Sequence, residues 1–369
     1  MIINKQHEPV LKSSQEMTTA VAKISMTPEM FHLLSSGMYT YKVRAVIREI
    51  CTNGVDAHKE AGIPDRPIQV GLPTVFTQEL VMRDFGTGLT KEQVMNNYLN
   101  YGYSTKSNTN DLIGAMGIGC KSPFSYCDAF TVESIQNKRK SVYSIYKENG
   151  VPNVTLLVED LEVDEEDGFC VRVPIERQDI DHVNNEAEYV FETFDVYPEI
   201  TDSARDIERR YLNDKNTLVK NEKYTITKGE VNAGTRLYAV MGQIRYPLQT
   251  SDFKFSEPVK IAMEGCTLWL NLKIGDAQVA GSRESLQLTE DTKTAVQGVL
   301  DEVGTAYIKE LQTKLDKVKT KTGVTEFVDN LLGGKLYGND SWFLRNSPAY
   351  DFYMRTLTWK GKSLYEVPV

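Results

Sequence analysis

The sequence is poor in cysteine and histidine and has no excess of positive charge. Its five cysteines, Cys51, Cys120, Cys127, Cys170 and Cys266, are scattered with no C-x-x-C pair. That spacing excludes a disulfide framework and a zinc ribbon, and it fits a reducing, cytoplasmic compartment. Forty-two Lys and Arg against fifty-one Asp and Glu leave a formal charge of −9, which argues against holding nucleic acid through bulk charge. No apolar run reaches the length of a membrane span, and the opening MIINKQHEPV carries no signal-peptide stretch. Internal repeats and low-complexity tracts are also missing. What is present, 369 residues of which 41% are hydrophobic and 25% charged, is ordinary globular composition in a chain too long for one core.

Periodicity gives the organisation. In YKVRAVIREICTNGVDAHKEAG, Val43, Val46, Ile47, Ile50 and Ala57 recur at helical spacing, with Gly62 and Pro64 as the stop. Short β-rich runs at 68–73 and 79–84 follow. Next comes a Gly/Ser/Asn-rich stretch from Phe85 to Gly119, interrupted by one helix with Thr90 as N-cap and Gln93 completing a capping box. Strands are expected at 129–136, 141–147, 153–158 and 169–175, the middle ones as a meander, with the acidic run Glu159 to Asp167 as a solvated loop. Beyond about 180 the spacing predicts a helix over 182–197, strands over 235–245 and 259–272, and a long helix over 290–320. The tail holds Trp342 and Trp359 and is expected to pack on the second domain. This order reads as an α+β chain of two α/β sandwiches in series, with domains at 1–178 and 179–330 and an aromatic tail at 331–369.

Three features carry chemistry. Glu49, Asn53 and Asp56 are spaced i, i+4, i+7, so they share one helix face opposite the apolar stripe. Taken alone, such a face is a solvated one. Strand ELVMRD ends in Asp84 and runs into Phe85-Gly86-Thr87-Gly88, where two glycines let backbone approach a ligand. Then Gly114-Ala115-Met116-Gly117-Ile118-Gly119-Cys120-Lys121 places a glycine run ahead of a helix, an anion site to which Lys121 adds charge. A Walker A loop is excluded because Cys120 separates Gly119 from Lys121. A protein kinase is excluded because none of His7, His32, His58 and His182 begins H-R-D.

In this order over about seventy residues, a carboxylate–amide helix, an Asp-x-Gly-x-Gly turn and a glycine-rich loop resemble the GHKL ATPase fold. Gyrase B, the ninety-kilodalton heat-shock chaperone, mismatch-repair MutL and sensor histidine kinases share it. The resemblance implies an N-terminal α/β sandwich that binds ATP and Mg²⁺, followed by a transducer-like middle domain. It makes Glu49 the general base, Asn53 the Mg²⁺ ligand, Asp56 part of the same pocket, and Asp84 the acceptor for the adenine amino group. Gly86 and Gly88 leave room for the base. GLTKEQVMNNYLNYGYSTK resembles the chaperone pattern, with Asn97 near the ribose and phosphates and Ser104, Thr105 and Lys106 on a lid. GAMGIGCKS matches its second glycine loop, implicating Gly114, Gly117, Gly119 and Lys121. Gly281-Ser282-Arg283-Glu284-Ser285-Leu286-Gln287 resembles the chaperone's middle-domain loop and makes Arg283 the γ-phosphate sensor. One departure is that Gly168 is followed by Phe169, where relatives carry Gly-Thr, which implies weaker nucleotide binding.

The lead-in Leu34-Ser35-Ser36 and Tyr39-Thr40, the Arg48 to His58 helix and the string Lys121 to Tyr126 are similar to the phage RIIA lysis-inhibition family. That likeness implies slow ATP hydrolysis driving lid closure and a nucleotide-linked homodimer. It further implies a host or phage protein partner, in lysis inhibition or exclusion. The alternative that stays open is a non-catalytic, nucleotide-stabilised module that inhibits a host factor.

Overall fold

Residues 27–98, 119–228, 236–332 and 345–367 are described by a computed structural model of the chain. By its contacts the chain divides into two units, one running to Phe191 and including Asp195–Ile207, the other Glu192–Phe194 with Glu208–Val369.

In the first unit a short helix, α1 (Pro28–His32), precedes the long α2 (Lys42–Glu60), where Val43, Val46, Ile47 and Ile50 are buried as their spacing predicts. The strands are β1 (Gln69–Gly71), β2 (Glu79–Arg83), β3 (Ala129–Gln136), β4 (Arg139–Glu148), β5 (Val151–Glu162), β6 (Gly168–Pro174) and β7 (Glu199–Asp202). They form one sheet in the order β5-β4-β3-β6-β2-β1-β7. Only the β1–β7 pair is parallel. The register aligns Val70, Met82, Val171 and Val132 across the sheet, and all four are buried.

Gly54 lets α2 approach this row, since a Cβ there would lie 2.8 Å from the Met82 sulfur. A second helix, α3 (Ile180–Phe191), packs beside α2 through an Arg44–Glu186 ion pair, with Arg44 also 3.7 Å above the Tyr189 ring. The predicted capping box is present, with Gln93 N donating to Thr90 Oγ1 and Thr90 N donating to Gln93 Oε1. The acidic run is only partly a loop: β5 continues to Glu162, because its backbone pairs with β4 as far as Arg139↔Glu162.

The second unit has a five-stranded sheet in the order β11-β10-β12-β9-β8. Its strands are β8 (Thr217–Lys220), β9 (Tyr224–Lys228), β10 (Leu237–Met241), β11 (Ile244–Pro247) and β12 (Cys266–Leu272). Two sequence expectations are corrected here. The single strand over 235–245 is a hairpin, because Gly242 and Gln243 both take positive φ, as a two-residue turn requires. The strand over 259–272 is half helix. Ser256 and Pro258 open α4 (Glu257–Gly265), and the strand starts only at Cys266.

The long helix α5 (Glu290–Leu315) is capped by the Thr289 hydroxyl and buries Val296, Leu300, Val303, Tyr307 and Leu311. It stops at Leu315, short of 320, and Thr320 caps a separate helix, α6 (Lys321–Leu331). The tail forms α7 (Pro348–Thr356) and a hairpin of β15 (Thr358–Trp359) and β16 (Lys362–Ser363), preceded in the chain by the two-residue strands β13 (Gln278–Val279) and β14 (Leu286–Gln287). Residues 345–367 pack on this unit, with Tyr353 bonded to Tyr307 and Trp359 Nε1 donating to Val318 O, while Trp342 lies outside the described residues. Among the described residues no helix is long and apolar enough to cross a membrane.

Candidate functional site

The polar face of α2 is not solvated, contrary to what its spacing alone suggests. Glu49 and Asp56 are 2% and 0% exposed, and Asn53 is half-buried. A 3₁₀ segment, Gly119–Ser125, lies against the helix and buries Lys121 through Ser125. Gly119 makes the approach possible, because a Cβ at that position would sit 2.4 Å from Glu49 Oε2. The other carboxylate oxygen, Oε1, accepts from Arg48 Nε at 3.0 Å and lies 3.0 Å from Arg48 Nη2. Both guanidinium nitrogens thus reach the same carboxylate oxygen, a charge-assisted contact inside the fold. Phe124, in the string Lys121 to Tyr126, packs edge-on against Phe31 and Phe130. Tyr126 donates to Asp179 at the approach to α3. Those residues hold the segment in place on the fold.

At the end of β2, Asp84 is 3% exposed and lies under α2, its Cβ 3.5 Å from where a Gly54 Cβ would be. Its Oδ1 accepts from Gly86 N at 2.9 Å and Phe169 N at 3.2 Å, while its own N donates to Phe169 O at 2.9 Å. The backbone of Phe169 thus supports the carboxylate from both sides of the strand pairing. Gly168 is indispensable to that arrangement. Its φ is +142°, and a Cβ would meet Asp84 O at 2.2 Å. Gly88, at φ +65°, lies against Ile135 O, and Ser134 Oγ both donates to Leu89 O and accepts from Leu89 N. The Tyr98 and Phe169 rings lie 5.7 Å apart beside this turn.

Sequence reasoning missed the residue that joins the two features. His58, 1% exposed, accepts from Phe85 N through Nε2 at 2.7 Å, while Nδ1 bonds Arg66 O at 2.9 Å. Arg66 stacks 3.6 Å over the Phe85 ring and holds Glu166 with two bonds of 2.9 Å. Burial pushes the His58 imidazole below its usual pKa, and the neighbouring Arg66 and Arg83 charges act in the same direction. The signal available in the sequence was a lone histidine two residues after Asp56 and in the last turn of the helix.

Glu49, Asp56, Asp84, Gly86, Gly119 and Lys121 therefore lie on or beside α2 and the turn after β2, with Asn53 on the same helix. Asn97 falls in the π-helical turn Gln93–Tyr98. Ser104, Thr105, Lys106, Gly114 and Gly117 lie outside the described residues. Arg283 is in the second unit, at the turn between β13 and β14, with φ +57° and its N donating to Ala280 O.

Residues 41–168 match the family model described as Histidine kinase-, DNA gyrase B-, and HSP90-like ATPase. The match begins one residue before α2 and ends at Gly168. It supports a GHKL-type ATP-binding domain with ATPase-type activity in the first unit. No curated protein matches the chain.

Proposed function

We propose that this chain is a slow ATP hydrolase used as a conformational switch, of the kind the phage RIIA resemblance implies. The observation that carries the reading is the convergence of buried Glu49, Asp56 and Asp84 around one helix, with the backbone of Gly119 against Glu49 Oε2. Three carboxylates buried this deeply have a cost that a purely structural helix would avoid. In the proposed complex Asp84, fixed through Oδ1, selects the nucleobase through its amino group. Gly86 and Gly88 admit the base, and Lys121 with the glycines of its loop balances the phosphates.

The donor set fits Mg²⁺. Asn53 offers a hard amide oxygen, and among the described residues no group of three or more His, Cys, Asp or Glu could hold a metal by itself. In this reading the ion would be held by Asn53 and mainly by phosphate oxygens. When bound, it would neutralise phosphate charge. Glu49 would accept the proton of the attacking water as the bond to the γ-phosphorus forms and ADP leaves. The second unit is proposed as a transducer of the nucleotide state, and nucleotide binding is proposed to bring two copies together around a protein partner.

A second reading, a nucleotide-stabilised module without turnover, draws on the Arg48–Glu49 pair, which already occupies one oxygen of the proposed base. Phosphate release from Mg²⁺-ATP separates the two. Turnover that falls about 10²–10⁴-fold in Glu49→Ala, with binding kept, supports the hydrolase. Binding without turnover in the unsubstituted protein supports the module. Sedimentation with a non-hydrolysable analogue tests the dimer, which fails if the mass is unchanged.

A further inference from the structure

The bonds around His58 permit only one protonation state. Phe85 N–H can only donate, so Nε2 must present a lone pair; Arg66 O can only accept, so Nδ1 must carry the proton. A second proton on Nε2 would set two donors face to face across the 2.7 Å contact. It would also add a positive charge beside two arginines, Arg66 and Arg83. The charged groups there are Arg66 from the loop after α2, Arg83 at the end of β2, Glu166 from the loop before β6, and the Asp84 carboxylate next to Phe85. Glu166 is occupied by Arg66, and Arg83 is committed to Asp84 O and Glu166 O. On α2 itself Asp56 lies two residues away. None of these bonds leads to His58 Nε2, whose partner is the Phe85 amide.

Phe85 lies between Asp84 and Gly86, the residue whose N–H holds Asp84 Oδ1. We infer that His58 is a positioning residue for the nucleotide site, acting through the Phe85 amide, and that its protonation loosens the Asp84 turn and weakens nucleotide binding as pH falls. The inference rests on the reading of Asp84 as the carboxylate that selects the base. The sign follows from linkage. The binding-competent turn requires neutral His58, so affinity is level at higher pH and declines below the ordinary imidazole value of 6.5. A single linked proton limits the decline to about tenfold per pH unit. By reciprocity, bound nucleotide lowers the imidazole pKa further.

The test is calorimetric titration with Mg²⁺-ADP from about pH 8 to about pH 5.5, on the full chain and on His58→Gln, whose amide can accept from Phe85 N and donate to Arg66 O without titrating. Protonation of the nucleotide itself affects both proteins equally, so the difference between them isolates His58. Affinity that falls in acid for the unsubstituted protein and stays level for His58→Gln is the expected result. Equal pH dependence in the two proteins overturns the inference while leaving the nucleotide site standing. No binding at any pH removes the nucleotide reading and the inference with it. A nitrogen-resolved NMR titration of the ligand-free protein provides an independent check. Its expected result is an Nδ1–H tautomer that, on acidification, shifts together with the Phe85 amide. An imidazole that titrates while that amide stays still overturns the coupling.

Discussion

At the scale of single residues, the nucleotide reading depends on backbone approaches that only glycine allows. Asp84 is held by Gly86 N and Phe169 N, so Asp84→Asn leaves the scaffold bonds available but replaces the acceptor facing the base with an amide. A charge-assisted bond contributes about 1.5–3 kcal/mol. Nucleotide affinity should therefore drop roughly 10- to 150-fold with little change in melting temperature, as calorimetry and thermal denaturation together would show.

Gly168→Ala should act differently. At φ +142° with Asp84 O 2.2 Å from the new Cβ, the strand must shift at a cost of about 1–3 kcal/mol. Melting temperature and affinity should fall together, because the displaced backbone is the one that carries Asp84. Gly281→Ala, where an added Cβ meets nothing within 4 Å, is the control and should melt unchanged. A Gly168→Ala protein as stable as the control would show that this close approach contributes nothing.

Among the elements, α2 is the centre of the first unit, and its two faces are buried by different partners. The apolar face packs on the sheet and α3, and the polar face lies under the Gly119–Ser125 segment. In the second unit, the C-terminal hairpin is clamped by reciprocal bonds between Gln312 and the backbone of Thr358, and by Trp359 Nε1 on Val318 O at 2.7 Å. Trp359 is 8% exposed. Trp359→Ala should cost that unit about 3–5 kcal/mol, the range for truncating a buried aromatic. It should also open the segment after Thr356 to limited proteolysis. Resistance equal to that of the unsubstituted protein would show that the hairpin is held by its other contacts.

For the whole molecule, each unit carries a core of its own. Ala45, Ile47, Val70, Val132 and Tyr143 are completely or almost completely buried in the first; Leu237, Leu268, Trp269, Val303 and Tyr307 are so in the second. A chain of this size with two cores is not expected to unfold in one two-state step. Scanning calorimetry should give a calorimetric enthalpy larger than the van't Hoff value. Mg²⁺-ATP at a hundred times its dissociation constant should stabilise the unit that binds it by about 2.7 kcal/mol. A thermogram unaffected by saturating nucleotide would count against the first unit as an ATP-binding domain.

Local pattern determined a good deal of this protein. The apolar stripe of α2, the Thr90–Gln93 capping box, the limits of β3 and the Gly-x-Gly turn after Asp84 are all set by residues within a few positions of each other. Steric preference and hydrogen bonding over that range do not depend on the rest of the fold. The glycine pattern also carried the family resemblance.

Tertiary structure decided what had no local signature. Whether the Glu49–Asp56 face meets water or protein depends on a segment seventy residues further along the chain. His58 acquires its role only because β2 delivers the Phe85 amide to it, and Gly168 because β6 pairs with β2. Cys266 begins a strand directly after a helix because β9 and β10 flank it on both sides. Burial and strand pairing are non-local, so the charges that α2 keeps out of water follow from the packing around it and not from the spacing of its own residues.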